Sequence, residues 1–374
     1  MKNIPILYYH SLSDSNRRVW GFLSIPILTF KLHIKLLKFF GYYTCTWDEL
    51  FSHINGKKEL PKKTVMLQFD DGFLDNWTVV FPIIKKNDIK ITIVVSKDFI
   101  EKSNSKRPFV VETKERNIND WWGYLSEVEI IEMESSGLVD IQAHGKTHTW
   151  YESEPVLEDI FDGSQLLPHL YWNNNSDSKT HWLSKNLSDV VAFGYPILKH
   201  EKSLELDRRY IVNQEFIDES IQAVDHRIAK KENFKIVKNI FKIYEDNGSL
   251  GRFETEEEKQ KRLAEELSGN KKYLENLLNK KVEYLVYPGG GKSTEVFKLS
   301  KKYGYKLVSQ GEQLNGFGSN IYNVNRISAT YPFKIKYLYS FLNLIFFYFQ
   351  IKRGQGNPLI SFISNFFRKI LGYV

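Results

Sequence analysis

The chain has 374 residues, 42% of them hydrophobic, enough for a large core in one domain plus an insertion. Its net charge of +7 is modest for this length, and its lysines are spread along the chain with no aromatic-interleaved basic motif, which does not indicate nucleic-acid binding. The single cysteine, Cys45, excludes an intramolecular disulfide and fits a reducing compartment.

Residues 4–9 read as a first strand, ending at His10. The chain enters this strand directly, without the charged, apolar and small-residue regions of a signal peptide. Secretion by that route is therefore not expected, and Asn174-Asn175-Ser176 carries no glycosylation meaning. A helix is expected over 29–40. The apolar run 64–69 then stops abruptly at Asp70-Asp71-Gly72. Acidic side chains at the end of a core strand cost stability unless they pair, bind metal or do chemistry. Asp-Gly is also an ordinary turn after a strand.

A core strand over 89–95 and a helix over 126–136 follow. The short run 139–143 meets His144-Gly145-Lys146-Thr147-His148, two histidines spaced i and i+4. On one turn of helix this spacing would put both imidazoles on one face, ready for one metal ion. Alone, such a pair more often belongs to the surface. Joined to a carboxylate pair at another strand end, it suggests an Asp and two His around a catalytic zinc or similar divalent ion.

Residues 151–281 interrupt the pattern with a charged, Asn-rich insertion, expected to line a substrate cleft. It offers a strand candidate over 190–194, then Gly194-Tyr195-Pro196-Ile197-Leu198-Lys199-His200 as a polar break. A long helix is expected over 254–278, with Glu256-Glu257-Glu258 and Lys271-Lys272 suiting its dipole. The strand pattern resumes over 282–287 and ends at Pro288-Gly289-Gly290-Gly291. Strands alternating with helices argue for a parallel sheet. Polar residues gathered at strand C-terminal ends are what a (β/α) barrel predicts.

The aromatic stretch 337–350 lies between Lys336 and Lys352-Arg353 and is short of the roughly 20 residues that span a bilayer. Residues 359–374 place apolar side chains at helical spacing, with Arg368 and Lys369 among them. Such a tail can lie in a membrane interface, helped by lysines near anionic headgroups, or pack on the barrel or a second subunit.

Gln68-Phe69-Asp70-Asp71-Gly72 and His144-Gly145-Lys146-Thr147-His148 resemble the first two motifs of the polysaccharide deacetylase family, the group with the NodB-type domain. Gln68 stands where the family has Thr, and Ala143 and Gly145 also depart from its pattern. Tyr284-Leu285-Val286-Tyr287-Pro288-Gly289-Gly290-Gly291 and the opening Ile4-Pro5-Ile6-Leu7-Tyr8-Tyr9-His10 resemble the branch that deacetylates poly-N-acetylglucosamine. The resemblance implies a distorted seven- or eight-stranded (β/α) barrel over 1–336, interrupted at about 151–281, with a helical tail over 337–374. It implies Asp70 as the general base and Asp71, His144 and His148 as the ligands of a divalent metal, zinc by preference. Tyr287, Pro288, Gly289 and Gly290 would face the substrate. Relatives use a late Leu-x-His histidine as the acid, and no such motif follows residue 291. His10 is the first candidate for that role and His200 the second. Arg326 resembles a late arginine of the branch that orients a carboxylate or the substrate.

The expected function is therefore metal-dependent hydrolysis of an N-acetyl group on a polysaccharide or lipid-linked glycan precursor. The alternatives are a deformylase or O-acetyl esterase on the same scaffold, or a non-catalytic glycan-binding protein. The expected location is cytoplasmic, peripheral to the inner face of the membrane.

Overall fold

The computed structural model describes residues 4–13, 23–110, 123–184, 186–312, 322–331 and 338–357. The chain forms two compact units: Met1–Gly145, Lys271–Gly290 and Gly304–Val374 make the first, Lys146–Asn270 and Gly291–Tyr303 the second.

In the first unit, β1 (Ile6–Tyr9) is followed by a small pair, β2 (Ser11–Ser13) and β3 (Ser24–Pro26), then α1 (Ile27–Phe39). Next come β4 (Tyr43–Cys45), α2 (Trp47–Ile54), β5 (Thr64–Phe69), α3 (Phe81–Asn87), β6 (Ile91–Val95), α4 (Glu127–Ser135) and β7 (Val139–Ala143). The chain then builds most of the second unit. This holds β8 (Trp150–Ile160), α5 (Pro168–Asn174), β9 (Pro196–Lys202), β10 (Tyr210–Val212), α6 (Gln214–Ala223), α7 (Lys230–Asp246), β11 (Gly251–Phe253) and α8 (Glu256–Ala264). After α9 (Asn270–Leu278) and β12 (Tyr284–Val286), α10 (Thr294–Lys302) belongs to the second unit. The strands β13 (Leu307–Glu312) and β14 (Asn323–Ser328) and the helix α11 (Tyr339–Gly354) complete the first.

Seven parallel strands close on themselves in the order β1-β14-β13-β12-β7-β6-β5, with β5 returning to β1. This is the barrel expected from the sequence. The strand β4 stands outside the ring, paired to the first half of β5, while β6 takes the second half. Every residue of β5, β6 and β7 is buried, as in a parallel sheet covered on both faces. Ile6, Met66, Val94, Val286, Leu307 and Val324 fill part of the interior. Helix α2 begins on a capping box of Thr46 with Glu49, and at the start of α4 the Glu129 carboxylate accepts from the Ser126 N–H at 2.9 Å, satisfying backbone donors that would otherwise be orphaned.

In the second unit β8 and β9 form an antiparallel ribbon, and α6 and α7 pack through Phe216, Val237 and Phe241. The helix expected over 254–278 is present as α8 and α9, joined through a π turn at Glu265–Gly269. The strand expected over 190–194 is not formed. Asn186 caps a short 3-10 turn at Leu187–Asp189, and Gly194 takes a left-handed φ of 87° that no strand accommodates.

The aromatic stretch after residue 337 is helical as α11 and lies on α1. The His33 and Phe347 rings stack at 4.0 Å, and the Thr29 and Ser340 hydroxyls are 2.9 Å apart. The expected helix over 359–374 lies outside the described residues. Among the described residues no helix is long and apolar enough to cross a membrane.

Candidate functional site

The end of β5 places two carboxylates in different surroundings. Asp70 is the last residue in register, its N–H donating to the Tyr9 carbonyl at 2.9 Å. Asp71 and Gly72 then both adopt left-handed φ, 71° and 69°. For Asp71 that conformation costs on the order of 1–2 kcal/mol, so the fold must impose it. A Cβ on residue 72 would come within 2.8 Å of Val95 Cγ1, which accounts for the glycine.

Asp70 is only 1% exposed and sits in a polar chain. Its Oδ1 accepts from Gln68 Nε2 at 2.7 Å, and the Gln68 carbonyl accepts from the Tyr284 hydroxyl at 3.0 Å. Arg326 Nη1 donates to Asp70 Oδ2, and its guanidinium lies over the Tyr8 ring at 4.7 Å. His10 Nε2 is 3.8 Å from the same carboxylate oxygen. Burial alone pushes the Asp70 carboxyl up. The Arg326 guanidinium outweighs it and holds Asp70 below the usual carboxylate range. Asp70 is therefore ionised at neutral pH. Burial lowers the pKa of His10 despite the opposing carboxylates of Asp71 and Asp70, so its imidazole is neutral there.

The second carboxylate meets the histidines. Asp71 Oδ1 lies 3.2 Å from His144 Nε2, and one ligand atom each from Asp71, His144 and His148 falls within a 4.8 Å group. The Nδ1 of His144 is 2.8 Å from the Val286 carbonyl. As the carbonyl can only accept, Nδ1 carries the proton and the Nε2 lone pair faces Asp71. Two ligands at roughly 2.0–2.2 Å from one ion at the tetrahedral angle are about 3.3–3.6 Å apart. The Asp71–His144 gap is close to that range, and an Asp and two His with open positions suit a divalent metal.

The histidines do not lie on a helical turn, as their spacing suggested. The strand β7 ends at Ala143, and the segment to Thr149 is a loop with left-handed Gly145 (φ 71°) and His148 (φ 48°). Glu266, buried in the π turn, holds this loop within the second unit. It accepts from the Lys146 N–H at 2.9 Å, the Thr147 N–H at 3.0 Å, the Thr147 hydroxyl, and the Ser203 hydroxyl at 2.6 Å. π turns inside helices are frequent at functional sites.

The glycine loop after β12 forms a 3-10 turn at Pro288–Gly290, with Gly289 and Gly290 left-handed. Its first residue, Tyr287, is buried and donates its N–H to the Ser309 carbonyl at 3.0 Å. His10, Asp70 and Arg326 thus converge, as do Asp71, His144 and His148. His200 stands on β9 in the second unit, its ring 4.2 Å from His169 and 5.5 Å from Trp150. Gln68, Tyr284 and Glu266 were missed from the sequence. For Gln68 a signal existed, because two residues before Asp70 on a strand is the same face.

A family model described as polysaccharide deacetylase matches residues 57–171 and 246–308. The putative polysaccharide deacetylase YxkH of Bacillus subtilis (strain 168) is 38% identical over 90 residues, which are 24% of this chain and 30% of that protein. The match therefore spans less than a third of that curated relative. The de-N-acetylase from Aggregatibacter actinomycetemcomitans superposes with a TM-score of 0.52 at 20% identity, covering 87% of this chain and 94% of that one. The BpsB deacetylase domain from Bordetella bronchiseptica gives 0.53 at 14% identity, with 87% and 95% covered. At these identities the likeness to both structures is one of fold.

Proposed function

We propose that this chain, which a polysaccharide deacetylase model matches over residues 57–171 and 246–308, is a metal-dependent hydrolase removing N-acetyl groups from a sugar of a polysaccharide or lipid-linked glycan precursor. The observation that carries this reading is the division of labour at the β5 end. Asp71 joins two histidines, while its neighbour Asp70 is held ionised by Arg326. Binding alone does not need a base beside a metal.

Asp71, His144 and His148 would hold the ion, zinc by donor type. When bound, it supplies a Lewis acid for the acetamide carbonyl and lowers the pKa of water. Asp70 takes one proton from the attacking water, whose oxygen adds to the acetyl carbon. The C–N bond then breaks as that proton passes to the amine nitrogen, and the acetyl group leaves as acetic acid, which gives its remaining proton to solvent to become acetate. Arg326 and Gln68 fix the two oxygens of Asp70 during this transfer. His10, neutral and 3.8 Å from Asp70, is placed to receive that proton and deliver it. The backbone of Tyr287, Pro288, Gly289 and Gly290 is the candidate contact for the substrate and its developing oxyanion.

The test is acetate release from N-acetylated sugars, free and polyprenyl-linked, by the metal-loaded protein. Formate, or an alcohol in place of an amine, would assign the deformylase or O-acetyl esterase alternative. Equal, near-zero metal content in wild type and His144→Ala would sink the enzymatic reading.

A further inference from the structure

The charge of the chain is distributed very unevenly. Of 52 Lys and Arg and 45 Asp and Glu, seven of the basic residues and none of the acidic ones lie after residue 312. Residues 1–312 are therefore neutral in sum, and the whole net charge of +7 resides in the last 62 residues. Of the seven, Arg326 is engaged by Asp70 and Arg353 is buried, so on the described surface Lys352 and the lysines of α1 carry the positive charge an anionic partner would meet.

The described part of that segment includes α11, which runs beside α1. Thr29 meets Ser340, His33 meets Phe347, and Phe40 meets Tyr348, so the contacts advance in step and the two helices are parallel. Their inner faces are buried, but their outer faces remain apolar. Phe39 is 83% exposed, Leu28 and Phe341 each 58%, Leu338 49% and Ile345 40%. On α1 the positions 28, 31, 35 and 39 share one face at helical spacing, and Lys31 and Lys35 lie between Leu28 and Phe39. Lys38 is exposed beside Phe39. Neither helix contains Asp or Glu.

We infer that the paired outer faces of α1 and α11 form a docking surface for an anionic lipid bilayer. Isolated exposed apolar residues need no explanation, but two packed parallel helices that carry five of them call for one. Charge selects the occupant. A second copy would bring lysines against lysines, and the chain's own residues 358–374 add Arg368 and Lys369 and no carboxylate. A nucleic acid would complement the lysines but offer no apolar medium for Phe39 and Phe341. Anionic headgroups over acyl chains supply both, the pattern of helices that lie in the interface plane with basic residues at headgroup level. The surface adds α1 to the aromatic tail and is independent of the deacetylase reading.

The experiment is co-sedimentation of the full chain with vesicles of phosphatidylglycerol and phosphatidylcholine, against phosphatidylcholine alone. Binding to the anionic vesicles is expected, weakened in high salt, with little binding to the neutral ones. The double variant Phe39→Glu, Phe341→Glu removes two exposed apolar contacts and adds two negative charges beside the lysines. It should bind roughly tenfold or more weakly while its circular dichroism and melting match wild type. Several outcomes would overturn the inference: no binding to anionic vesicles, undiminished binding by the folded double variant, or a dimer in light scattering that the variant disperses. Loss of binding on truncation after residue 357 with none in the double variant would also overturn it, assigning the contact to the tail alone.

Discussion

Glu266 touches no predicted ligand directly, yet its replacement should weaken metal binding. Its carboxylate accepts four hydrogen bonds, three from Lys146 and Thr147 and one from Ser203. Hydrogen bonds to a charged group contribute about 1.5–3 kcal/mol each, so Glu266 is a principal anchor of the loop bearing His148. Glu266→Ala removes all four and lets water recapture the partly exposed donors of the loop. The loop then samples conformations in which His148 leaves its left-handed φ of 48°. Groups that orient a metal ligand typically change affinity by 10–100-fold, about 1.4–2.7 kcal/mol. Isothermal titration with Zn²⁺ or Co²⁺ reads this without reference to turnover. Glu266→Gln, which can accept through one oxygen only, should fall between the two. In a His148→Ala background Glu266→Ala should add little, since its effect travels through that imidazole. A folded Glu266→Ala protein with wild-type metal affinity would refute the reasoning.

Arg326→Gln removes the cation that holds Asp70 low. The acid limb of kcat/KM should therefore move to higher pH, and the uncompensated buried carboxylate should cost about 3–5 kcal/mol of stability; an unmoved limb contradicts the assigned base. Asp75 is buried, and burial lifts its carboxyl to about 7 against donors from Leu12, Ser11 and Asn76. Its folded pKa lies above the unfolded value, so the native state holds the extra proton and stability falls as pH rises from about 4 to 7, levelling above that. Urea titrations at pH 5 and 8 should show this slope in wild type and a smaller one in Asp75→Asn. Lys280 bridges Asp140 at 2.6 Å and Glu134 at 2.8 Å at the β7 end away from His144. Lys280→Met should lower denaturation midpoints by about 3–5 kcal/mol equivalent while the metal affinity of the folded protein is unchanged. Gly72→Ala meets both Val95 and an unfavourable φ, and a loss of metal affinity in titration is the expected result.

The legible part of this molecule was its strand ends. Asp70, Asp71 and His144 each follow an unbroken buried run, and a polar residue there is conspicuous because burial penalises it. The i, i+4 spacing of His144 and His148 was visible but ambiguous: a helical turn and a loop with two left-handed residues both bring the rings together. Strands β13 and β14 carried little signal, since Asn323, Asn325 and Arg326 break the apolar pattern that reveals a strand. Gln68 and Tyr284 are 216 residues apart, and Arg326 and Asp70 are 256 apart. The Val286 carbonyl that orients His144 belongs to the backbone and has no residue type to read.

The closed ring is not uniformly knit. Between β6 and β7 five residue pairs are in register, but between β7 and β12 only Leu285 and Ala143 pair. These two strands are also the pair divided by the insertion, so their meeting closes the longest loop between neighbouring barrel strands except that joining β14 to β1. Loop length itself adds only about 0.6 kcal/mol per doubling, which leaves the sparse pairing as the weak point. The His144 imidazole, hydrogen-bonded to Val286, crosses that juncture as a side-chain rung. An ion held between Asp71 and His144 would fix the imidazole whose Nδ1 bonds β12 across that juncture. Amides of β12 should therefore exchange with solvent deuterium ahead of those in β5 and β6, and slow selectively when metal is added.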